Sequence, residues 1–138
     1  MAEQARTAPA ARPLSPHLQT YRWPITMATS IAHRATGLAL VLGTLVVAWW
    51  LLALAGGPQY YDTFSMVARH PLGQVVLFGF VWSLTYHLLN GIRHLAWDIG
   101  LGFDVHAANR SAATVIALSL LLALAVFAYA YAVKGLYP

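Results

Sequence analysis

The sequence predicts an all-α membrane protein with three transmembrane helices. Hydrophobic residues make up 59% of the 138 residues and charged residues only 9%, far below the roughly 25% of ordinary soluble domains. Three stretches of 27, 23 and 23 residues hold no charged residue. They lie between Arg34 and Asp62, between Arg69 and Arg93, and between Arg110 and Lys134. Because about 20 apolar residues in a helix cross the bilayer core, each stretch is long enough for one span.

The chain divides into a polar N-terminal segment and one transmembrane anchor domain. Residues 1–23 are rich in Ala and Pro and contain no apolar run of signal-peptide length, which predicts an uncleaved cytoplasmic tail. A mitochondrial presequence is the lesser alternative, because the segment holds Arg and Ala. Residues 24–138 form the predicted anchor domain, with spans at about 31–55, 71–95 and 111–133.

The first helix is predicted from about Pro24 to Ala55, with proline in the first turn, where its missing N–H costs nothing. Residues 56–58 are Gly-Gly-Pro and end it. Residues 59–70 are then expected to form a loop.

The second helix is predicted from Pro71 to Trp97, and Gly100 and Gly102 act as stop signals. The third is predicted from about Ser111 to Val133. We interpret residues 109–111 as its N-terminal cap.

The distribution of positive charge predicts the orientation. Six Lys or Arg residues lie on the side of the N-terminus and the second loop, and two lie on the other side, which places the N-terminus in the cytoplasm. These residues are scattered singly and form no basic stripe, so a nucleic-acid partner is not expected. The sequence contains no cysteine, which excludes a disulfide-stapled module and a thiolate zinc site.

His87 is the one histidine deep inside a predicted span. A polar side chain there is costly and faces a protein interior, a cavity or a cofactor. Two interpretations are open: a hydrogen bond to a neighbouring helix, or axial ligation of a b-type haem. Gly91, one turn later on the same face, would leave room for a flat macrocycle.

His94 lies seven residues after His87, on almost the same face and about 10.5 Å along the axis. The two side chains therefore do not hold one iron from opposite sides. The first and third helices have no mid-span histidine, so the haem hypothesis requires a second ligand from a partner membrane subunit.

Polar residues also gather at the cytoplasmic end of the first helix. Ser30 and Arg34 are four residues apart and share a face, with His33 beside them. A hydroxyl with a guanidinium suits an uncharged carbonyl ring or a haem propionate. The alternative is that Arg34 extends to lipid phosphate.

A third group lies at the cytoplasmic end of the second helix. It consists of Arg93, His94, Trp97 and Asp98. One interpretation is that Arg93 and Asp98 simply mark the membrane boundary, but the charge count puts this group and the first-helix group at one membrane face. Both are therefore expected to border one polar pocket.

Three segments give the chain a recognisable pattern. They are residues 12–18 (RPLSPHL), residues 30–37 (SIAHRATG) and residues 87–100 (HLLNGIRHLAWDIG). Together they closely resemble the cytochrome b membrane-anchor subunit of succinate dehydrogenase. The resemblance implies respiratory complex II, in which a flavoprotein subunit, an iron-sulfur subunit and two small membrane-anchor subunits pass electrons from succinate to ubiquinone. It also implies half of a heterodimeric helical bundle, with no complete active site in this chain alone.

The resemblance assigns roles around one haem b shared with the partner anchor subunit. His87 matches the axial ligand of the haem iron, and the second axial histidine would come from the partner. His33 and Arg34 match residues near the haem propionates. His94 is assigned only to the haem environment.

The resemblance also implies a ubiquinone site. Ser30 and Arg34 match its binding positions, and Asp98 matches an acidic residue close to the pocket. The expected location is a bacterial inner membrane, with the mitochondrial inner membrane as the alternative. Other functions considered are a haem-free structural anchor, an anchor of fumarate reductase, and a small channel or transporter. The channel ranks last, because few polar residues lie along the spans.

Overall fold

The computed structural model describes residues 22–134, which form four helices and no strand. The helices are α1 (Ile25–Gly56), α2 (Pro58–Arg69), α3 (Pro71–Asp98) and α4 (Val105–Lys134). Three of them, α1, α3 and α4, are long and apolar enough to cross a membrane. The predicted fold class is therefore confirmed. The motif at residues 12–18 and the tail before it lie outside the described residues.

The ends of α3 match the prediction. Pro71 occupies its first turn, and Gly100, with φ of +86°, lies just beyond its last residue. The Gly100 N–H donates to the Trp97 carbonyl at 2.8 Å, and the Leu101 N–H donates to the Ala96 carbonyl at 2.9 Å. This paired bonding is the Schellman arrangement, in which glycine adopts the left-handed conformation without steric cost.

The prediction of a loop over residues 59–70 is wrong, because α2 occupies that segment. Pro58 ends α1 but also suits the first position of α2. Gly57, with φ of +96°, turns the chain between the two helices. The ring of Phe64 packs edge-on against Trp49 of α1, with centroids 5.0 Å apart. A short amphipathic helix thus covers the end of α1.

The N-terminus of α4 also differs from the prediction. The helix begins at Val105, six residues before the expected start. The Asp104 carboxylate accepts hydrogen bonds from the backbone N–H groups of His106 at 2.9 Å and Ala107 at 3.2 Å. Asp104 therefore caps the helix, and the interpretation of residues 109–111 as the cap is wrong. Of these three residues, Ser111 accepts a hydrogen bond from Arg93 inside the bundle, whereas Asn109 and Arg110 are exposed.

Replacing Asp104 with alanine is expected to lower the free energy of unfolding by about 1 kcal/mol, because two N–H groups lose their acceptor. Thermal unfolding of the purified protein in detergent measures this. Asp62→Ala is the matched control, because Asp62 is exposed on α2, and it should change stability by less than about 0.5 kcal/mol. Equal effects of the two variants would contradict the assignment of the cap.

Both α1 and α3 contact all three other helices, while α2 contacts only these two of the described helices. Small residues lie at the helix contacts, as in other membrane bundles. They include Gly43, Ala53, Ala112, Ser119 and Ala123. A Cβ at Gly43 would overlap the ring of Phe80, so a larger residue there would force that ring to move. Most large apolar side chains face outward, toward lipid or other chains.

One end of the bundle brings three helix termini together. Arg93, near the end of α3, donates hydrogen bonds to Thr29 near the start of α1 and to Ser111 in the early part of α4. The predicted polar groups of the first and second spans thus lie at the same end, as expected. The α2 segment lies at the opposite end of α1.

Candidate functional site

The side chain of His87 lies in a cradle formed by α1. Its Nδ1 is 3.2 Å from the His33 carbonyl oxygen and 3.3 Å from Thr36 Oγ1. The Thr36 hydroxyl itself donates to the His33 carbonyl at 3.0 Å. A Cβ at Gly37 would lie 3.1 Å from His87 Cε1, so a larger residue there would press on the ring.

These contacts determine the tautomer of His87. A carbonyl oxygen only accepts hydrogen bonds, so Nδ1 must carry the proton. Nε2 then carries a lone pair, and within residues 22–134 it has no hydrogen bond. An Nδ1–H bonded to a backbone carbonyl is the arrangement that orients a histidine for metal binding through Nε2.

Three histidines meet at this point. The rings of His33 and His87 are stacked, with centroids 3.8 Å apart and planes 15° apart. His94 meets His33 edge-on, with centroids 5.2 Å apart. Within the described part of the chain, His33 Nδ1 is buried and has no hydrogen-bond partner. Buried polar atoms of this kind are rare and mark places where a further group is expected.

Beside the histidines lies a buried polar cluster. It consists of the buried Thr29, Tyr86, Asn90 and Arg93, together with the half-buried Ser111. The Arg93 side chain, only 7% exposed, donates from Nε to Ser111 Oγ at 2.9 Å and from Nη2 to the Ala108 carbonyl at 3.0 Å. Its Nη1 donates to Thr29 Oγ1 and to Asn90 Oδ1, both at 3.2 Å. The guanidinium thus joins α1, α3 and α4.

Aromatic side chains complete the surroundings of Arg93. The guanidinium carbon lies 4.1 Å from the ring centroid of Trp97, a cation–π contact. The Tyr86 hydroxyl donates to the Thr29 carbonyl at 2.9 Å. On the other side, Asn90 Nδ2 lies 3.3 Å from His94 Nε2. The polar cluster is therefore continuous with the histidine group.

Replacing Tyr86 with phenylalanine is expected to destabilise the folded protein by about 1 kcal/mol, because the buried Thr29 carbonyl loses a donor. The matched control is Tyr129→Phe, since Tyr129 is 69% exposed. The melting temperatures of both variants in one detergent measure the difference. A Tyr86→Phe protein as stable as the control would contradict the contribution of this hydrogen bond.

The other predicted site residues are more open. Ser30 is half-buried on α1, Arg34 is exposed on the same helix, and Asp98 is exposed at the end of α3. Within residues 22–134, the side chains of these three form no hydrogen bond or ion pair. The structure thus brings His33, His87 and His94 together and leaves Ser30, Arg34 and Asp98 accessible around them.

The sequence alone does not reveal the roles of Thr29, Thr36, Tyr86 and Asn90. It predicts Arg93 at the border of a polar pocket, with a simple boundary position as the alternative, but not its burial. A signal was present, because polar or aromatic residues recur along α3 at helical spacing. They are Tyr86, His87, Asn90, Arg93, His94 and Trp97. This pattern indicates one polar face on an otherwise apolar helix. Burial of that face depends on α1 and α4, which only the fold reveals.

Comparisons with known proteins agree with the motifs. The family model of succinate dehydrogenase/fumarate reductase transmembrane subunits matches residues 8–126. The succinate dehydrogenase cytochrome b556 subunit of Paracoccus denitrificans is 46% identical over 110 residues, covering 80% of this chain and 85% of that protein. The b556 subunit of Rickettsia typhi is 40% identical over 110 residues, covering 80% and 86%.

A mitochondrial relative shows the same similarity. The succinate dehydrogenase cytochrome b560 subunit of Sus scrofa is 40% identical over 114 residues, covering 80% of this chain and 66% of that protein. The match to the family model spans all three membrane helices almost to the end of α4, and the resemblance inferred from the sequence is confirmed. The chain belongs to the family of succinate dehydrogenase/fumarate reductase transmembrane subunits.

Proposed function

We propose that this chain is the membrane-anchor cytochrome b subunit of a succinate dehydrogenase, binding haem b and ubiquinone and passing electrons from succinate to ubiquinone. The observation that carries the proposal is the His87 side chain, which lies in a membrane helix with Nδ1 directed to the His33 carbonyl and Nε2 without a partner in residues 22–134. The names of the bacterial relatives support it.

The residues around His87 fit a haem. Nε2 would ligate the iron, and Thr36 and the His33 carbonyl would hold the ring in orientation. A Cβ at Gly91 would meet no described atom within 4 Å, so this face has room for a flat ring. When bound, the haem supplies one-electron chemistry. His33, Arg34 and His94 would surround its propionates and edge.

The second axial ligand is proposed to come from a partner chain. His33 is stacked face to face on His87, so the two rings would not both hold one haem iron. His94 is bonded through Nε2 to Asn90, and the remaining described histidines, His70 and His106, flank the N-termini of α3 and α4. The outward apolar surfaces of the spans support a second small anchor subunit as this partner.

Ubiquinone is proposed to bind near Ser30 and Arg34, with Asp98 close by. These side chains lie on α1 and α3 at the bundle end that holds the buried polar cluster. Their exposure leaves their polar atoms available to a quinone carbonyl. The excess of Lys and Arg at this end supports a cytoplasmic orientation, where the iron-sulfur and flavoprotein subunits would dock and water would supply protons.

The orientation and the relatives support an inner membrane location. The chain has three helices that are long and apolar enough to cross a membrane, and its relatives come from bacteria and from mitochondria. We place the chain in a bacterial inner membrane, with the mitochondrial membrane as the alternative.

Affinity purification of the chain from detergent-solubilised membranes tests the assembly. We expect a flavoprotein, an iron-sulfur subunit and a second small anchor subunit to co-purify, with succinate–ubiquinone reductase activity in the same fraction. Assays in both directions distinguish succinate oxidation from fumarate reduction. A chain that purifies alone or with unrelated proteins would contradict the proposal.

A further inference from the structure

We propose that Asn90 and Arg93 are positioning residues that hold His94 in the tautomer with its proton on Nδ1, so that His94 presents a fixed donor to an oxygen acceptor of the bound group. The inference deepens the proposed function and rests on it, since it requires that a cofactor or quinone binds beside these histidines. The hydrogen bonds of Arg93, Asn90 and His94 support it in turn.

Arg93 fixes the orientation of the Asn90 amide. A guanidinium has only donors, so the Asn90 atom 3.2 Å from Arg93 Nη1 must be the carbonyl oxygen Oδ1. Arg93 cannot easily rotate away, because Ser111 and the Ala108 carbonyl hold its other nitrogens. The amide nitrogen of Asn90 must therefore point in the other direction.

Asn90 in turn fixes His94. The Asn90 Nδ2 lies 3.3 Å from His94 Nε2, and Asn90 is 0% exposed. A proton on Nε2 would place two donors opposite each other at 3.3 Å, a separation too short for a water molecule between them. Because a buried unpaired donor is costly, the tautomer with Nε2 as acceptor is favoured by about tenfold or more. The proton of a neutral His94 then resides on Nδ1.

The Nδ1–H of His94 has no acceptor within residues 22–134. The ring is held edge-on against His33 at 5.2 Å and against Trp97 at 5.1 Å, so its direction is fixed. The side chain is only half-buried, which leaves the donor accessible to a group outside this chain. The matching chemistry is an oxygen acceptor, either a haem carboxylate or a quinone carbonyl.

The variant Asn90→Asp tests the positioning role, because it keeps the shape of the side chain but replaces the amide donor with an acceptor. One carboxylate oxygen would accept from Arg93, and the other would require a proton on His94 Nε2. Nitrogen-15 NMR of the intact complex labelled in histidine distinguishes protonated from unprotonated ring nitrogens, and loss of a signal in His94→Asn assigns it. We expect Nε2 unprotonated in the wild type and protonated in Asn90→Asp.

The matched control is Asn109→Asp, because Asn109 is exposed on α4 and has no contact with His94 among the hydrogen bonds described. It should leave the His94 signals unchanged. A protonated Nε2 in the wild-type complex would overturn the proposal even if the Asn90→Asp complex does not assemble. An unprotonated His94 Nε2 in an assembled Asn90→Asp complex would also overturn the proposal.

Two further variants identify the acceptor. His94→Leu removes the donor, whereas His94→Asn keeps an amide N–H near the position of Nδ1. If the acceptor is a haem carboxylate, His94→Leu should shift the haem midpoint potential, by about 59 mV for a tenfold change in a one-electron equilibrium. If it is a quinone carbonyl, the KM for ubiquinone should instead rise about tenfold.

His94→Asn should restore most of either property. If neither the potential nor the KM changes in His94→Leu, the claim that His94 donates to a bound group is wrong. A wild-type complex without haem and without quinone reductase activity would contradict the proposed function instead. The His94 tautomer measured by NMR would still test the positioning roles of Asn90 and Arg93 in that case.

Discussion

The His87→Ala complex is expected to lose the low-spin b-type optical spectrum completely. In the proposed site, alanine would remove the imidazole whose Nε2 would bind the iron. The site would hold either a five-coordinate haem or none. The three spans should still insert, because helix packing depends on other residues.

The reduced-minus-oxidised spectrum of the purified complex measures this effect. His106→Ala is the matched control, because His106 is exposed at the start of α4 and contributes only its backbone N–H to the Asp104 cap. That variant should keep the wild-type spectrum. A low-spin spectrum that survives His87→Ala unchanged would show that His87 is not the ligand.

The variants Ser30→Ala and Arg34→Leu are expected to slow succinate–ubiquinone reductase activity by about ten- to a hundredfold. A hydrogen bond that involves a charged group contributes roughly 1.5 to 3 kcal/mol, which corresponds to that range in affinity or rate. Succinate oxidation with an artificial acceptor that takes electrons before the membrane should remain nearly unchanged, because the soluble subunits are intact.

The matched control for Arg34→Leu is Arg110→Leu, since Arg110 is also an exposed arginine at this end of the bundle. It should leave both activities near wild type. A parallel fall of both activities in the Ser30 and Arg34 variants would indicate a role in assembly. If neither activity fell, Arg34 would be a lipid-facing residue and the quinone site would lie nearer Asp98 or on the partner.

The spans were predictable because their signal is local. The length of the stretches without charged residues, together with proline or glycine at the helix ends, locates α1 and α3 to within about two residues. The α2 helix was missed because the Gly-Gly-Pro segment that ends one helix also permits another to begin. The sequence does not predict the early start of α4, because the Asp104 cap lies among polar residues that are typical of a loop.

The site was predictable only in part. His87 stood out because a lone histidine in an apolar span is unusual. The cradle formed by Thr36 and Gly37 depends on how α1 packs against α3, so spacing within either helix does not reveal it. Arg93 is predicted at the border of a polar pocket or at the membrane boundary, but its hydrogen bonds to Thr29 and Ser111 of two other helices depend on the packing of the bundle.

The proposed function requires that His87 Nε2 binds a haem. The most direct test is the optical spectrum of the purified wild-type complex after reduction with dithionite. We predict sharp bands of a low-spin b-type haem, which His87 and a histidine of the second anchor subunit would hold together. A fully assembled complex with no haem bands would contradict the account and indicate a structural anchor without a redox group.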